Sequence, residues 1–530
     1  MGKQSRKPKK PAAPAPAEPS LADQDEPQCY VCLGYEQPLL ATGCGCRGSA
    51  GKVHAHCAVQ CAAAAQERAG TALGPKAPWQ KCATCGLPYT GELKLKLAEE
   101  WVRRAMESND GGPIVLFAAR TSLGNALAAG GRLAEAETVA RSNLETATAV
   151  YGAEHRFTLG TTHNLGLLLE QNGKAQEAEA LFVSLLATQQ RVLGPEARDT
   201  LMVATQVANS ALGRGDYAAA EAQYRTLLKT QARVVGADDP STLIVGMNLA
   251  SALLGAGKYA DAEAAFEANL EAKRRRLGPE HVDTLMAQMN LGIVLRERGD
   301  YEKAERILEE NVEVKARVLG HGHLDTWTAR LNLAATLLES RDRLTGDDAS
   351  EARATAATLA SDAREALARE LGASHPFTLG AAMHHGAALR AVGHHARAAD
   401  VLRAALKEQV VVHGSEAHPD CLETAWRLGD LLAEPRTEVS DADEAAALLR
   451  ATAAHQEELL GGSHPRRSRT LVSLSAALLA MQGDGATAAR DEATSLLERA
   501  EAAQRAALGG GHPDVVKTAT LLGAEKMLRP

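Results

Sequence analysis

The stretch 257–285, GKYADAEAAFEANLEAKRRRLGPEHVDTL, decides the fold because its pattern returns along the chain. Four of its positions belong to columns that repeat every 42 residues. The columns are Gly131, Gly173, Gly215, Gly257 and Gly299; Ala136, Ala178, Ala220, Ala262 and Ala304; Glu137, Glu179, Glu221, Glu263 and Glu305; and Gly152, Gly194, Gly236, Gly278 and Gly320. Four columns in one register over five units indicate an array of stacked structural repeats.

Each unit predicts a pair of helices. The first helix ends at a tight turn such as Gly257-Lys258-Tyr259, and the second ends at a stop such as Leu277-Gly278. The 34-residue tetratricopeptide unit has this two-helix design, and eight extra residues add about one turn to each helix. The following small residues are expected to let the helices cross closely: Gly166, Ala250, Gly292 and Ala334.

The array resembles the long-repeat tetratricopeptide arrays of kinesin light chain. Units of that family begin with a segment like Leu277-Gly278-Pro279-Glu280-His281 and continue like Asp283-Thr284-Leu285. The resemblance covers residues 113–525, is most regular over 113–340, and implies about nine helical hairpins with a closing helix near Pro513. The expected fold class is therefore mostly α, an α-solenoid of tetratricopeptide-like hairpins that follows a small N-terminal cross-braced zinc finger.

Composition restricts the function. The 530 residues carry a net charge of -8 with a pI near 6.1, which argues against a nucleic-acid surface because phosphate contacts need clustered Lys and Arg. We expect no membrane span, because every apolar stretch is shorter than about 20 residues. The N-terminus lacks a secretory signal, so the cytoplasm is the expected compartment. The nucleus is the alternative, because Lys7, Lys9 and Lys10 could form an import patch.

Three regions precede the array. Residues 1–28 combine a basic run with five prolines between Pro8 and Pro19 and then an acidic run, which predicts a disordered tail. Residues 29–90 contain a block of Cys and His. Residues 91–112 form the expected linker helix, in which Leu93, Leu97 and Trp101 mark an apolar face.

Nine cysteines are present, and eight of them lie between Cys29 and Cys85. Such clustering without an export signal predicts metal binding rather than disulfides. The candidate ligands are Cys29, Cys32, Cys44, Cys46, His54, Cys57, Cys82 and Cys85. Eight ligands suit two tetrahedral sites, so two Zn²⁺ ions are the expected cofactors.

The Cys/His block resembles RING-CH fingers in the spacing Cys44-x-Cys46 and in the run Cys46-Arg47-Gly48-Ser49-Ala50-Gly51-Lys52-Val53-His54. This resemblance implies that Cys29, Cys32, His54 and Cys57 hold one ion, and that Cys44, Cys46, Cys82 and Cys85 hold the other. A PHD finger shares the ligand order and remains an alternative.

RING-CH proteins often act as ubiquitin ligases, so the resemblance implies a ubiquitin-conjugating enzyme as a partner. Docking would use exposed apolar residues near the first and last Cys pairs, here Val31, Leu87 and Pro88. The finger supplies no catalytic side chain, because it acts by proximity and orientation. Many RING-CH fingers have Trp where this chain has Cys61, which we expect to be a small buried residue. Trp79 could replace that Trp or support the second zinc site.

A ladder of amides recurs in the first helix of successive units. It consists of Asn164, Gln206, Asn248, Asn290 and Asn332. These side chains are expected to line a concave groove and hold the backbone of an extended client peptide. Hydrogen bonding between helices is the alternative. The ladder continues as His384, Arg427 and Ser473, so we place peptide binding in the first half of the array.

Histidines precede several first helices and are interpreted as turn and capping residues: His155, His281, His323, His375, His464 and His512. The segment Gly255-Ala256-Gly257-Lys258 imitates a phosphate-binding loop, but Tyr259 occupies the position of the Ser or Thr whose hydroxyl would bind the metal. We therefore interpret this segment as a turn between helices.

The sequence favours a zinc-binding protein-interaction protein, a RING-type ubiquitin ligase whose repeats bind clients. The alternative is a non-enzymatic scaffold with a structural finger. Neither the client nor the oligomeric state follows from the sequence.

Overall fold

A computed structural model of the chain describes residues 31, 40–41, 52–69, 77–82, 87–107, 112–341, 347–435, 437–481 and 486–527. The chain divides into a first unit, Met1–Ala178, and a second unit, Glu179–Pro530. The five predicted zinc ligands Cys29, Cys32, Cys44, Cys46 and Cys85 lie outside the described residues, as does the predicted disordered tail.

The first unit begins with a short antiparallel ribbon. Strands β1 (Leu40–Ala41) and β2 (Lys52–Val53) pair Leu40 with Val53. Helices α1 (Ala55–Ala69), α2 (Ala77–Gln80) and α3 (Gly91–Glu107) follow. The expected linker helix is α3, and it ends before Asn109. Its buried residues are Leu93, Leu97, Ala98 and Trp101. Leu93, Leu97 and Trp101 pack with Trp79 and with α1 in one apolar cluster.

The array follows as a regular succession of helices. They are α4 (Gly112–Ala129), α5 (Leu133–Tyr151), α6 (Arg156–Gln171), α7 (Ala175–Val192), α8 (Arg198–Gly213), α9 (Tyr217–Val234), α10 (Pro240–Gly255), α11 (Tyr259–Leu277), α12 (Val282–Glu297), α13 (Tyr301–Leu319), α14 (Leu324–Arg341), α15 (Asp347–Leu371), α16 (Pro376–Ala391), α17 (His395–His413), α18 (Pro419–Leu432), α19 (Ala442–Leu460), α20 (Pro465–Ala480), α21 (Ala486–Leu508) and α22 (Pro513–Met527). From α8 onward they form seven hairpins within the second unit, from α8/α9 to α20/α21, and α22 follows as a closing helix.

Side-chain caps fix where the first helix of a hairpin begins. The Nδ1 atom of His281 accepts the backbone N–H of Asp283 at 3.2 Å, and the other predicted capping histidines make the same bond. The capping interpretation is confirmed. The glycine at the end of the preceding helix is hydrogen-bonded as well. At the end of α13, for example, the Gly320 carbonyl accepts from the hydroxyl of Thr326 in α14 at 2.9 Å. Gly320 itself has a φ of 98°, which favours glycine.

Small residues allow the two helices of a hairpin to approach closely. A Cβ added at Gly292 would lie 2.7 Å from Leu308, so no larger residue fits without displacement of the neighbouring helix. Gly386 and Gly429 meet Leu402 and Leu449 in the same way, each at 2.6 Å. Close packing through glycine and alanine explains how an array with so few aromatic residues fills its core.

Hairpins that lie five units apart in the chain also meet. The turn glycine between α8 and α9, Gly215, packs on Pro419 at the start of α18. Two further pairs are equivalent. Gly257 faces His464 and Pro465, and Gly299 faces His512 and Pro513. We call these three contacts the seam. It joins the turns of α8 to α13 to the starts of α18, α20 and α22 within the second unit.

None of the helices in the described part of the chain is long and apolar enough to cross a membrane.

Candidate functional site

Two of the predicted zinc ligands lie together at the end of the ribbon. His54 follows β2 and Cys57 lies in the first turn of α1, and both are buried. The His54 Nδ1 and Cys57 Sγ atoms are 3.8 Å apart. Ligands of one tetrahedral zinc ion would be about 3.5 Å apart, given Zn–N and Zn–S lengths near 2.0 and 2.3 Å. The pair therefore suits a shared ion.

His56 is a potential donor that the sequence reasoning missed. Its Nε2 atom lies 3.2 Å from Cys57 Sγ, and its exposed ring stacks on His54. Donor atoms of His54, His56 and Cys57 all lie within 4.8 Å of one another. Cys82 is buried at a separate point, where its backbone N–H donates to the Leu87 carbonyl at 2.8 Å.

The three residues expected to dock a conjugating enzyme are exposed. Leu87 is 48% exposed, Val31 is 37% exposed, and Pro88 also lies at the surface. The neighbouring Trp79 is 1% exposed and stacks on Trp101 with ring centres 6.4 Å apart. Trp79 is therefore a core residue and does not present its ring to a partner.

The expectation that Cys61 is buried is wrong. Cys61 lies on α1 but is exposed. The apolar side of this helix contains Cys57, Ala58 and Ala62, which pack toward Trp79 and α3. Cys61 is not part of this apolar cluster, and none of the described helices covers it.

The repeated glutamates join consecutive hairpins, a role that the sequence reasoning did not assign. Glu137 contacts Lys174 at 2.8 Å, and Glu221 contacts Lys258 at the same distance. The hydrogen bond from Lys174 lowers the pKa of Glu137 to about 2. Since each glutamate sits on a second helix and each lysine lies in the next turn, the column fixes the stacking of the units.

The first half of the amide ladder has two kinds of environment. Gln206 and Asn248 are half-buried and share Asn209, whose Oδ1 accepts from Asn248 at 2.9 Å while its own amide donates to Gln206 at 2.6 Å. Asn332 donates to the Thr328 carbonyl of its own helix at 3.0 Å. These bonds are of the helix-to-helix and within-helix kind, so only part of each amide is available to a peptide.

Asn164 differs because it is exposed. It lines a small cavity of about 20 Å³ in the first unit together with Arg120, Asn125 and Asn143. The Asn143 amide donates weakly to the Phe117 carbonyl at 3.4 Å, and its buried Oδ1 has no hydrogen-bond partner among the described residues. This part of the first unit thus offers both exposed amide groups and a buried acceptor.

The second half of the ladder is occupied by the chain's own polar network. Ser473 donates to Asp430 at 2.6 Å, and Arg427 pairs with Glu423 at 3.0 Å. Burial, reinforced by Arg427 and Arg296, lowers the pKa of His384 to about 3. His384 is therefore neutral at physiological pH.

A charged cluster connects this network to the seam. Arg469 of α20 contacts Glu297 of α12 at 3.3 Å and Asp514 of α22 at 3.0 Å. Arg296 adds a second contact to Glu297 at 3.1 Å. Burial opposes ionisation of Glu297, but Arg469 and Arg296 hold its pKa well below the usual range. The carboxylate is therefore charged within a buried site.

Buried amides and lysines form two further columns that the sequence reasoning missed. Asn269 and Asn311 each donate to a carbonyl 26 residues earlier, at 2.7 Å. The ammonium of Lys315 approaches the Asp325 carbonyl at 3.4 Å, and burial lowers the pKa of this lysine. The 42-residue spacing of Asn269 and Asn311 was the available signal.

Comparison with known families identifies the class. Two overlapping pairs of segments match the family described as Tetratricopeptide repeat: residues 116–182 with 157–233, and residues 238–313 with 283–343. Residues 116–233 and 238–343 therefore carry tetratricopeptide repeats, which form a scaffold for protein interaction. The match does not extend to the Cys/His block, and comparison with curated proteins gives no match.

Several solved structures are similar to the array. A kinesin-light-chain-type protein of Podosopora anserina with nearly identical TPR-like repeats is 23% identical and covers 39% of this chain and 98% of its own, with a TM-score of 0.35. BtubC (BKLC) from P. vanneervenii is 20% identical over 43% of this chain and 92% of its own, with a TM-score of 0.39. A tetratricopeptide repeat protein from Parabacteroides merdae is 18% identical over 58% of this chain and 98% of its own, with a TM-score of 0.37.

Proposed function

We propose that this chain is a zinc-dependent ubiquitin ligase in which the repeat array binds the client and the Cys/His block recruits a ubiquitin-conjugating enzyme. The observation that carries the proposal is the approach of two predicted zinc ligands, His54 and Cys57, to 3.8 Å. The exposed Leu87 and Pro88 supply the apolar surface that a partner would contact. The proposed zinc ions would hold the loops that present this apolar surface. The ligase adds no catalytic side chain, because transfer depends on the position of the bound partners.

A second candidate is a non-enzymatic scaffold. Trp79, which could have replaced the docking Trp of RING-CH fingers, is buried against Trp101. Cys61 occupies the usual Trp position and offers a much smaller apolar surface. Both observations favour a finger that supports the array without recruiting an enzyme.

Autoubiquitination by the purified full chain, across a panel of conjugating enzymes, separates the two candidates. We expect ubiquitin chains with at least one enzyme, and loss of both chains and zinc in Cys57→Ser. Cys61→Ser is the matched control, because it removes a cysteine from the same helix that is not a predicted ligand.

Leu87→Ala tests docking separately from zinc binding. It should keep the zinc content and lose the ubiquitin chains, whereas Met106→Ala, which shortens another exposed apolar residue of the first unit, should keep both. Two bound zinc ions without chains for any enzyme would overturn the ligase and leave the scaffold.

A further inference from the structure

The seam differs in composition from the contacts between neighbouring hairpins. Three apolar clusters hold the second unit together, and each comes from consecutive hairpins: one from Leu201 to Ala304, one from Met289 to Ala388, and one from Met383 to Ala500. None of these three clusters crosses the seam. Apolar burial, the largest favourable contribution to folding, therefore acts mainly along the array. The apolar contacts across the seam come from single side chains, including Pro419, Pro465 and Pro513.

At the second and third seam contacts, polar groups accompany Pro465 and Pro513. The Nδ1 atom of His464 accepts a backbone N–H, so its Nε2 atom carries the proton and donates to the Gly255 carbonyl at 2.8 Å. His512 and the Glu297 carbonyl form the equivalent bond at 3.2 Å. Arg469 adds an ion pair across the seam to Glu297, and a second pair, to Asp514, joins α20 to α22 on the same side. Buried ion pairs contribute little net stability because desolvation offsets their attraction.

The seam is also incompletely packed. A cavity of about 10 Å³ lies at its first contact, lined by Tyr217, Pro419, Leu459 and Arg466 among others. A cavity of this size is close to the smallest that holds one water molecule.

We propose that the seam is a reversible closure, and that the second unit opens there while its hairpins stay intact. The apolar clusters keep each hairpin joined to its neighbours, and five hairpin steps separate the two sides. A small rotation at each step is therefore enough to part the turns from the helix starts. Opening would give an extended client access to the ladder at Gln206, Asn248, Asn290 and Asn332. That consequence rests on the proposed function, whereas the opening itself does not.

Glycine substitutions test the closure with a matched control. A Cβ at Gly257 would lie 2.8 Å from Pro465, and one at Gly299 would lie 2.9 Å from Pro513. Gly393 occupies an equivalent turn with a φ of 84°, against 72° for Gly257 and 80° for Gly299, but a Cβ there meets nothing within 4 Å. All three alanine variants thus carry the same backbone strain, and only two of them disturb the seam.

Small-angle X-ray scattering and amide hydrogen exchange of the full chain are the measurements. In Gly257→Ala and Gly299→Ala we expect a larger radius of gyration and about tenfold faster exchange at the starts of α20 and α22. Gly393→Ala should leave both quantities at the wild-type value. Equal changes in all three variants, or no change in any, would overturn the proposal.

A second pair of variants keeps the proposal testable if the glycine variants fold poorly. Arg469→Gln removes the ion pair to Glu297, which crosses the seam, and also the pair to Asp514, which joins neighbouring hairpins. Arg450→Gln is the control, because it removes only a pair of the second kind, to Glu492 at 2.7 Å. Only Arg469→Gln should enlarge the second unit. No client is needed in these experiments, so a failure of peptide binding and a failure of the closure can be told apart.

Discussion

The imidazole of His464 donates through Nε2 to the carbonyl of Gly255, 209 residues earlier in the chain, at 2.8 Å. The same ring caps its own helix through Nδ1. One side chain therefore serves both a local and a distant contact, and substitutions can separate the two.

Replacement of His464 should cost more than replacement of a histidine that only caps a helix. His464→Ala removes the cap, worth about 1 kcal/mol, and leaves the buried Gly255 carbonyl without a donor, which costs about 1–3 kcal/mol more. His281→Ala is the control, because His281 makes the same cap and is largely exposed. Urea unfolding should show a free energy of unfolding that falls further for His464→Ala. Equal losses would mean that the Gly255 bond adds nothing.

Acid should weaken the second unit partly through His464. Burial lowers the pKa of His464 to about 4, although the bond to Gly255 opposes this shift. Because the pKa is lower in the folded chain, the stabilisation is complete above about pH 6.5 and is lost as the pH falls toward 4. His464→Asn keeps a capping acceptor but cannot titrate. We expect its free energy of unfolding to fall by about 2 kcal/mol less than that of the wild type between pH 7.5 and 5.

The comparison isolates the titration of His464, because the neighbouring charged groups are the same in the wild type and in His464→Asn. Arg466, Arg469 and Glu297 act on the His464 site, and all three are unchanged in the variant. Parallel pH profiles for the two proteins would contradict the assignment to His464.

Peptide binding should depend on Asn164 if the exposed end of the ladder forms the groove. Peptides selected from a random library on the wild-type chain should bind Asn164→Ala at least about tenfold more weakly, because two backbone hydrogen bonds are lost. Thr188→Ala is the control, since the Thr188 hydroxyl bonds only to the Ser184 carbonyl of its own helix. Unchanged affinity in Asn164→Ala would place the binding surface elsewhere.

Zinc removal should expose Trp79. This residue and Trp101 are each 1% exposed and stack within the cluster that contains Cys57 and Cys82. A chelator should therefore shift tryptophan fluorescence to longer wavelength, and Cys57→Ser should show the shift without a chelator. Cys61→Ser should match the wild type. Fluorescence that does not respond to chelation would mean that this core folds without metal.

The regular part of the fold was predictable because its determinants are local. Helix stops such as Gly278 and caps such as His281 recur every 42 residues, and each acts within a few residues of its own position. The role of Glu221 was harder to predict, because its partner Lys258 lies in the next unit. The 42-residue recurrence of this glutamate indicated that every unit uses it, but the recurrence does not show which residue it contacts.

The seam could not be predicted from the sequence. A His-Pro pair opens the three seam helices α18, α20 and α22, at His418, His464 and His512. The same pair, His375-Pro376, also opens α16, which is not part of the seam, so the pair does not identify the seam. The partner turns also lie more than 200 residues away. Unit lengths also change after Arg341, so a fixed period does not align the two sides.

The candidate sites were predicted unevenly for a similar reason. The spacing of His54 and Cys57 is local, and the two donors do lie together. The amide ladder was predicted as a row of equivalent groups, yet Gln206 and Asn248 bond to Asn209 while Asn164 does not. Sequence periodicity reports equivalent backbone positions, whereas accessibility depends on the neighbours that each unit happens to have.

The seam also limits how the gene can change. An open array tolerates the duplication or deletion of one unit, because each repeat contacts only its neighbours. Here one added unit between Gly299 and Pro419 would shift every turn against the wrong helix start, and all three glycine–proline contacts would be lost together. Unequal recombination among such similar repeats would therefore be selected against within this interval, whereas units added after α22 would leave the existing contacts in register.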